Sequence, residues 1–172
     1  MTGIFINSNE ISLSCIELKH LSKLHEWYSN TDEYYYATGL KQPVTVEETS
    51  NNYFDILRSS NEALLGIFLR NNAKMIGVLK CRFTGDTVWI NLLIIESRFQ
   101  NMKYGTKSVA MLLDYLKNNC GTREAYLSVS QENIKGKIFW LKNGFSEFEP
   151  AGNQPSAILD NGNVIIMRKQ ML

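Results

Sequence analysis

The stretch "VWINLLIIESRFQNMKYGTKSV", Val88–Val109, decides the fold of this chain. It opens with a nearly continuous apolar run, which is typical of a strand covered on both faces. A helix follows, and its apolar stripe at spacing i, i+3, i+4 and i+7 consists of Val109, Leu112, Leu113 and Leu116. A buried strand followed by an amphipathic helix predicts a strand–helix–strand crossover at the centre of a sheet.

The loop between this strand and this helix, "QNMKYGT", has the form of a phosphate-binding turn. A helix N-terminus leaves backbone N–H groups without partners and carries partial positive charge, so it can receive an anion. Gly105 permits a tight turn or a close approach to a ligand. Lys103 and Lys107 could add positive charge, and Thr106 a hydroxyl. An ordinary turn with two solvated lysines explains the same residues, because one glycine after a strand is a weak signal.

The other segments predict a mixed α/β domain. Alternating residues in "ISLSCIEL" and "REAYLSVS" indicate strands, and "EALLGIFLR" and "KMIGVLKCRF" indicate a hairpin around "NNAK". A turn at "TGDT" leads into the buried strand. Two early helices are predicted from the spacing of Leu21, Leu24 and Tyr28 and from a capping box, Thr45 and Glu48, followed by Tyr53, Ile56 and Leu57.

The last third of the chain predicts one more helix and a closing hairpin. Asn133 is the expected cap of a helix that ends at Gly144 in the left-handed conformation. One face of that helix carries Ile134, Ile138 and Leu141. "SAILDNGNVIIMRKQM" predicts a hairpin about "DNGN".

The composition bounds the class of protein. With 44% hydrophobic and 20% charged residues, the chain resembles an ordinary soluble protein, and we expect one domain over residues 1–172. The net charge of +1 makes no case for a nucleic-acid or membrane partner. Cys15, Cys81 and Cys120 are scattered, and no secretory signal is evident, which predicts reduced thiols and a cytoplasmic location. These cysteines and the two histidines form no metal site.

Two segments together resemble the GNAT superfamily of acetyl-CoA-dependent N-acetyltransferases. Leu92–Thr106 is similar to its acyl-CoA signature, Arg/Gln-x-x-Gly-x-Gly/Ala, with Gln100, Tyr104 and Gly105 in place. Asn133–Phe145, "NIKGKIFWLKNGF", is similar to its later motif of an asparagine, a helix and a terminal Gly-Phe. "LHEWYSNTDEYYY", with the Thr-capped helix after it, resembles the front end of the Rim-type branch.

This resemblance implies the fold, the reaction and a binding site. The fold would be a GNAT-type twisted mixed sheet with helices on both faces. The reaction would be direct transfer of an acetyl group from acetyl-CoA to a primary amine. The implied acetyl-CoA-binding residues are Leu93, Ile94, Ile95, Gln100, Asn101, Met102, Lys103, Tyr104, Gly105, Thr106 and Asn133.

The chain departs from the family pattern at three positions. Lys103 occupies the place of the first signature glycine, where a left-handed backbone would strain a lysine by roughly a kcal/mol. Trp140 stands where many members have a tyrosine that acts as general acid. Gly136 stands where some Rim-type relatives have a serine. The usual acids are therefore both replaced.

Glu96 and Asn91 are the candidate catalytic residues. Glu96 follows the buried strand and is either a general base or a solvated strand-end charge. Asn91 interrupts the apolar run, and a buried amide there would need hydrogen-bond partners, at a sheet irregularity or in the reaction cleft. His25 is either catalytic or a packing residue, and one of Tyr34, Tyr35 and Tyr36 could line an acceptor pocket.

Three functions are compatible with the sequence. The first is an N-acetyltransferase, acting on a small-molecule amine or a protein N-terminal amine, as a monomer or a homodimer. The second is a catalytically impaired acyl-CoA-binding regulatory module, which the replaced acids at Trp140 and Gly136 favour. The third is an unrelated α/β binding domain.

Overall fold

The structure, a computed structural model, describes residues 3–149 and 163–171. Within these ranges the strands are β1 Phe5–Asn7, β2 Ile11–Cys15, β3 Glu62–Leu69, β4 Met75–Thr84, β5 Thr87–Ile95, β6 Glu124–Ser130, β7 Ser146–Glu147 and β8 Val164–Gln170. The helices are α1 Leu21–Ser29, α2 Thr31–Thr38, α3 Val46–Arg58, α4 Tyr104–Cys120 and α5 Ile134–Lys142. None of the described helices is long and apolar enough to cross a membrane.

The strands form one mixed sheet in the order β1-β2-β3-β4-β5-β6-β8-β7. Neighbouring strands are antiparallel except β5 and β6, which are parallel and joined by α4. The strand–helix–strand crossover predicted from Val88–Val109 is therefore confirmed, together with the mixed α/β class. It lies at the centre of the sheet, where a parallel pair requires a long connection.

Helices cover both faces of the sheet and create two cores. The first core contains the predicted stripe of α4, Val109, Leu112, Leu113 and Leu116, together with Trp140 of α5. The second core contains side chains of α1, α2 and α3, namely Leu24, Trp27, Tyr28, Tyr34, Tyr53 and Ile56. The expected layer on each side of the sheet is confirmed.

The strand β5 changes the face to which its side chains point halfway along its length. Val88 and Ile90 belong to the first core, whereas Leu92 and Ile94 belong to the second. Side chains of a strand alternate between faces at every residue, so four even-numbered residues should share one face. An inserted residue must therefore lie between Ile90 and Leu92.

Asn91 is that inserted residue. In the antiparallel ladder, Cys81 of β4 pairs with Ile90 and Lys80 pairs with Leu92, which leaves Asn91 opposite no partner. This is a β-bulge, which bends the strand and re-aims its side chains. The Asn91 side chain is exposed, so the expectation of a buried amide was wrong.

Several local predictions are confirmed. Thr45 and Glu48 form a reciprocal capping box at the start of α3. Asn133 caps α5 through a hydrogen bond from the Gly136 N–H to its Oδ1 at 2.9 Å. Gly144 follows α5 with φ of +83°. The predicted "DNGN" turn lies outside the described residues, although its second strand is β8.

Other local features were not predicted from the sequence. Ile134, Ile138 and Leu141 share a face of α5, but that face is exposed, and Trp140 is the buried residue of this helix. Leu57 of α3 is also exposed. The strand β1 and the helix α2 carry no periodic pattern that predicted them. Spacing identifies a shared face, but it does not show which of two apolar faces meets the sheet.

Two neighbouring residues of α3 test this assignment of the second core. Ile56 is 5% exposed and Leu57 is 47% exposed. We expect Ile56→Ala to lower the free energy of unfolding by about 2–5 kcal/mol, because it leaves a cavity in packed surroundings. Leu57→Ala should cost less than about 1 kcal/mol. Urea unfolding monitored by circular dichroism measures both, and equal losses would contradict the assignment.

Candidate active site

The parallel pair of β5 and β6 opens into a fork. The two strands pair from Thr87 and Glu124 to Ile90 and Leu127 and then separate. Asn91 and Ser128 are the next residues on the two strands, so they stand on either side of the opening. The gap is a cavity of about 610 Å³, which we call the fork cleft. Its walls include Leu93, Ile95, Ser128, Asn133, Phe139 and Trp140.

Beyond the bulge, β5 presents backbone groups to the fork cleft. The N–H of Glu96 donates to the carbonyl of Ile76 on β4 at 2.9 Å. In an antiparallel ladder, alternate residues direct their backbone groups to opposite sides. The N–H and C=O groups of Leu93 and Ile95 therefore point away from β4, toward the gap that β6 has left. A ligand with amide groups could pair with this edge as a further strand does.

The loop after β5 leaves the N-terminus of α4 without a side-chain cap. Asn101 and Lys103 both have positive φ, 61° and 66°, so left-handed residues alternate with turn residues here. Lys103 is the N-cap of α4, and no described side chain caps this end. The first intrahelical bond runs from the Lys107 N–H to the Lys103 carbonyl. The amides of residues 104–106 are thus left for an anion, as the phosphate-binding interpretation requires.

Two residues of this loop have roles that differ from the sequence expectation. Gly105 lies inside α4 with helical backbone, and the left-handed residue is Lys103. A Cβ at Gly105 would lie 3.3 Å from the Phe139 ring and 3.5 Å from Ile95 Cγ1. The glycine therefore lets α4 begin close against the fork cleft. The Lys107 ammonium forms an ion pair with the Glu10 carboxylate, so its charge is already matched.

The conformation of the Asn133 side chain depends on the glycine at position 136. The Asn133 side chain folds back over its helix to cap it, and a Cβ at Gly136 would lie 2.7 Å from Asn133 Cγ. A serine at position 136 would displace Asn133 from this conformation, because real Cβ atoms do not approach so closely. The departure from the Rim-type serine is thus coupled to the position of an asparagine that lines the fork cleft.

A second cavity shares the wall residues Asn91 and Leu92 with the fork cleft. It has a volume of about 320 Å³ and lies under α1 and α3, and we call it the helix pocket. Its polar lining includes Thr38, Glu48, Thr49, Asn52, Lys80 and Asn91. Tyr28 forms part of its wall, and burial raises the pKa of that phenol, which stays neutral. Only tertiary packing brings these residues together, and no local sequence signal marks most of them.

The predicted acetyl-CoA-binding residues fall into two groups. Leu93, Ile94, Ile95, Gln100 and Asn133 line the fork cleft. Gln100 also donates from Nε2 to the Ile95 carbonyl at 2.8 Å, which ties the loop to the strand end. The other residues, Asn101, Met102, Lys103, Tyr104, Gly105 and Thr106, form the loop and first turn beside the cleft.

Of the two candidate catalytic residues, only Asn91 lines the cavities. Glu96 lines neither, and its carboxylate is ion-paired to Arg98 and, at 3.1 Å, to Lys23. Burial disfavours the Lys23 ammonium, but hydrogen bonds to Glu26 and Glu96 outweigh it and raise the pKa of Lys23. The pair with Lys23 connects the end of β5 to α1, whereas Arg98 lies two residues farther along the same segment.

The other residues singled out from the sequence, the tyrosines and His25, lie at or near the cavities. Tyr34 and Tyr36 line the fork cleft, and the Tyr34 hydroxyl lies 3.3 Å from Ser97 Oγ. Mainly through burial, the pKa of Tyr34 is raised. His25 Nδ1 lies 3.2 Å from Thr49 Oγ1 and lines neither cavity. The described residues contain no cluster of side chains suited to a metal ion.

Comparison with known proteins identifies the class. Residues 21–145 match the sequence profile of the Acetyltransferase (GNAT) family. Since the match covers most of the chain, the protein belongs to the GNAT family of acetyltransferases. No curated protein sequence is significantly similar to it.

Solved structures of related fold agree with this assignment. One is a spermidine N-acetyltransferase from Vibrio cholerae in complex with CoA and spermine, with a TM-score of 0.76, 18% identity, and coverage of 95% of this chain and 96% of the other. Another, from Salmonella typhimurium, modifies the N-terminal serine of a 50S ribosomal subunit protein (TM-score 0.79, 18% identity, 98% and 100% coverage). A third is RimL, a ribosomal α-N-protein acetyltransferase (TM-score 0.77, 18% identity, 98% and 94% coverage). The GNAT-type fold and the likeness to the Rim-type branch are confirmed.

The left-handed backbone of Lys103 yields a testable prediction. We expect Lys103→Gly to raise the free energy of unfolding by up to about 1 kcal/mol, because glycine adopts positive φ without a steric penalty. Lys103→Val should lower it by about 1 kcal/mol or more, because β-branched residues fit this conformation worst. Urea unfolding measures both. Equal stability of the two variants would show that this residue is not left-handed.

Proposed function

We propose that the protein transfers the acetyl group of acetyl-CoA directly to a primary amine while both substrates are bound. The observation that supports this best is that the two cavities share Asn91 and Leu92 as wall residues. A thioester in the fork cleft and an amine in the helix pocket would come into contact there. Holding two reactants in this way contributes a large part of the rate of a bimolecular transfer.

The proposal assigns each part of acetyl-CoA to a feature of the fork. The pantetheine arm would pair with the backbone edge at Leu93 and Ile95, opposite Asn133. The pyrophosphate would accept hydrogen bonds from the loop amides at Asn101–Thr106. The pyrophosphate would then lie at the N-terminus of α4 and the pantetheine arm along β5. The thioester, at the other end of the arm, would lie nearest Asn91.

The chemistry then needs few groups from the protein. The lone pair of a neutral amine forms the C–N bond, the C–S bond breaks, and the amine proton passes to water. In this proposal the Asn91 carboxamide accepts an amine N–H and orients the nitrogen. The thiolate of CoA, with a pKa near 8.5 for an ordinary thiol, can leave without a dedicated acid. Ser128, across the fork from Asn91, would donate a hydrogen bond to it.

Glu96 remains the candidate general base, by way of water. Its carboxylate is paired with two cations and lines neither cavity, so a chain of water molecules would have to connect it to the amine. The proposal treats residues 1–172 as one catalytic domain that acts in the cytoplasm. The acceptor is a small-molecule amine or a protein N-terminal amine, as for the neighbours that act on spermidine and on a ribosomal protein.

The alternative is a module that binds acyl-CoA without catalysis, and Trp140 and Gly136 favour it because they replace the usual acids. Release of CoA thiol from acetyl-CoA, measured across an amine library, separates the two functions. We expect release that requires an amine and that Asn91→Leu slows about 10- to 100-fold without changing CoA affinity. Tight CoA binding with no amine-dependent release would establish the alternative.

Asn133 allows its structural role to be separated from its proposed ligand role. Asn133→Ala should lower the free energy of unfolding by about 0.5–2 kcal/mol and weaken acetyl-CoA binding. Asn133→Asp keeps a good helix cap but loses the amide donor, so its stability should be near that of the native protein while acetyl-CoA affinity still falls. Calorimetry gives the affinities. Native affinity in the Asp variant would make Asn133 a cap and nothing more.

Trp140 tests whether a side-chain acid is needed at its position. The indole is buried and makes edge contacts with Phe139 and Phe145 at centroid distances of 4.9 and 5.2 Å. Its N–H is too weakly acidic to protonate a thiolate, so we expect Trp140→Phe to keep most of the turnover, measured with a substrate from the library. A decrease of about a hundredfold with native CoA affinity would show that the indole takes part in the chemistry.

A further inference from the structure

The helix pocket contains a surplus positive charge at Lys80. Arg82 donates to Glu62 Oε1 from two nitrogens at 3.1 and 2.9 Å, and Lys80 Nζ lies 3.5 Å from the same oxygen. Burial opposes ionisation of Glu62, but the hydrogen bond from Arg82 and the charges of both cations outweigh it and lower the pKa of this carboxyl. Two cations therefore share one carboxylate, and one positive charge remains.

That surplus charge is directed at the helix pocket. The side chain of Lys80 is 21% exposed and lines the pocket, whereas that of Arg82 is 56% exposed and does not. Among the described residues, Glu62 is the only carboxylate within ion-pair distance of Lys80. A half-buried ammonium is screened less by water than a surface one, so its field acts mainly on what occupies the pocket.

Lys80 is also close to the proposed point of reaction. It pairs with Leu92, immediately after the bulged Asn91. By strand alternation its side chain shares the face of Val78, which belongs to the second core. The cation and Asn91 thus both line the helix pocket, and Asn91 also lines the fork cleft.

The other polar groups of the helix pocket do not cancel this charge. Thr38, Thr49 and Asn52 are uncharged hydrogen-bonding residues. The Glu48 carboxylate also lines the pocket, but it is exposed and accepts the Thr45 N–H at 2.7 Å as part of the capping box. Its charge is solvated and already hydrogen-bonded, so it offsets the half-buried ammonium only weakly.

We infer that the acceptor is a small amine carrying an anionic group, a carboxylate or a phosphate, near its nitrogen, and that Lys80 selects it. The inference rests on the proposed acetyl transfer. A carboxylate or phosphate would accept a charge-assisted hydrogen bond from Lys80. The same cation repels ammonium groups, which disfavours polycations and favours the neutral, reactive form of the amine. A pocket of about 320 Å³ suits a small molecule.

The experiment compares matched acceptors that differ in one charge. Amino acids are tested against their carboxamides, glucosamine 6-phosphate against glucosamine, and spermidine represents the polycations. The α-amino group of an amino-acid carboxamide is less basic than that of the amino acid, so a larger fraction of it is neutral. A preference for the amino acid must therefore come from the protein. We expect kcat/KM to favour the anionic member of at least one pair by about 10- to 100-fold, the usual value of a hydrogen bond to a charged group.

Three variants assign that preference to Lys80. Lys80→Met should reduce the anionic preference to less than about threefold and leave CoA affinity unchanged, and Lys80→Arg should retain most of it. Arg58→Met removes a positive charge from an exposed residue on α3, and it should leave the preference intact. The inference is overturned if neutral amines or spermidine are the better acceptors, or if Lys80→Met keeps the native preference.

A binding measurement separates this inference from the proposed function. N-acetylglycine and N-acetylglycinamide, products of the simplest acid and amide pair, are titrated into the CoA complex and followed by NMR. Binding of the acid alone, lost in Lys80→Met, shows that Lys80 selects anionic ligands whether or not the panel is acetylated. If no amine is acetylated, it is the proposed function that fails. If the panel is acetylated without regard to anionic charge, the proposed function stands and the inference fails.

Discussion

The single inserted residue in β5 is the constraint on which the rest of the site depends. Asn91 has no partner in the β4 ladder, so the alternation of β5 reverses at this point and Leu92 and Ile94 enter the second core. Pairing with β6 ends one residue earlier, at Ile90. A regular strand would continue the ladder and close the gap. With the bulge, the sheet contains an open fork whose walls carry side chains of one strand and backbone groups of the other.

An open fork in a sheet is costly, because it leaves polar backbone groups and apolar side chains without their usual partners. Contacts around its rim hold it in place. Gly105 allows α4 to begin against Phe139, and the Asn133 side chain occupies the space above Gly136. The ion pair of Glu96 with Lys23 connects the far end of β5 to α1. The left-handed residues Asn101 and Lys103 are the strained part of this rim, and strain of this kind is common where a loop must receive a ligand.

The two cavities differ in what they present to a ligand, which is backbone in one and side chains in the other. The fork cleft offers an exposed strand edge and a helix N-terminus, and backbone groups of this kind depend little on residue identity. This explains how a signature with Lys103 in place of a glycine can keep its geometry. The helix pocket is lined by side chains from β4, β5, α1 and α3, so its chemistry belongs to this chain. A polyamine would require negative charge in this pocket, whereas the half-buried Lys80 is positive.

The crossover, the α4 stripe, the capped α3 and α5 helices and the family could all be predicted from the sequence, because each depends on residues that are close together in the chain. The sequence also singled out Asn91 and Asn133, and both line the fork cleft. It did not determine which apolar face of α5 is buried, that Glu96 is ion-paired, or that Lys80 and Thr49 border one pocket. Those features depend on a one-residue register shift between β4 and β5 and on helices packed across the sheet. Such contacts join residues far apart in the chain, so only the tertiary structure decided them.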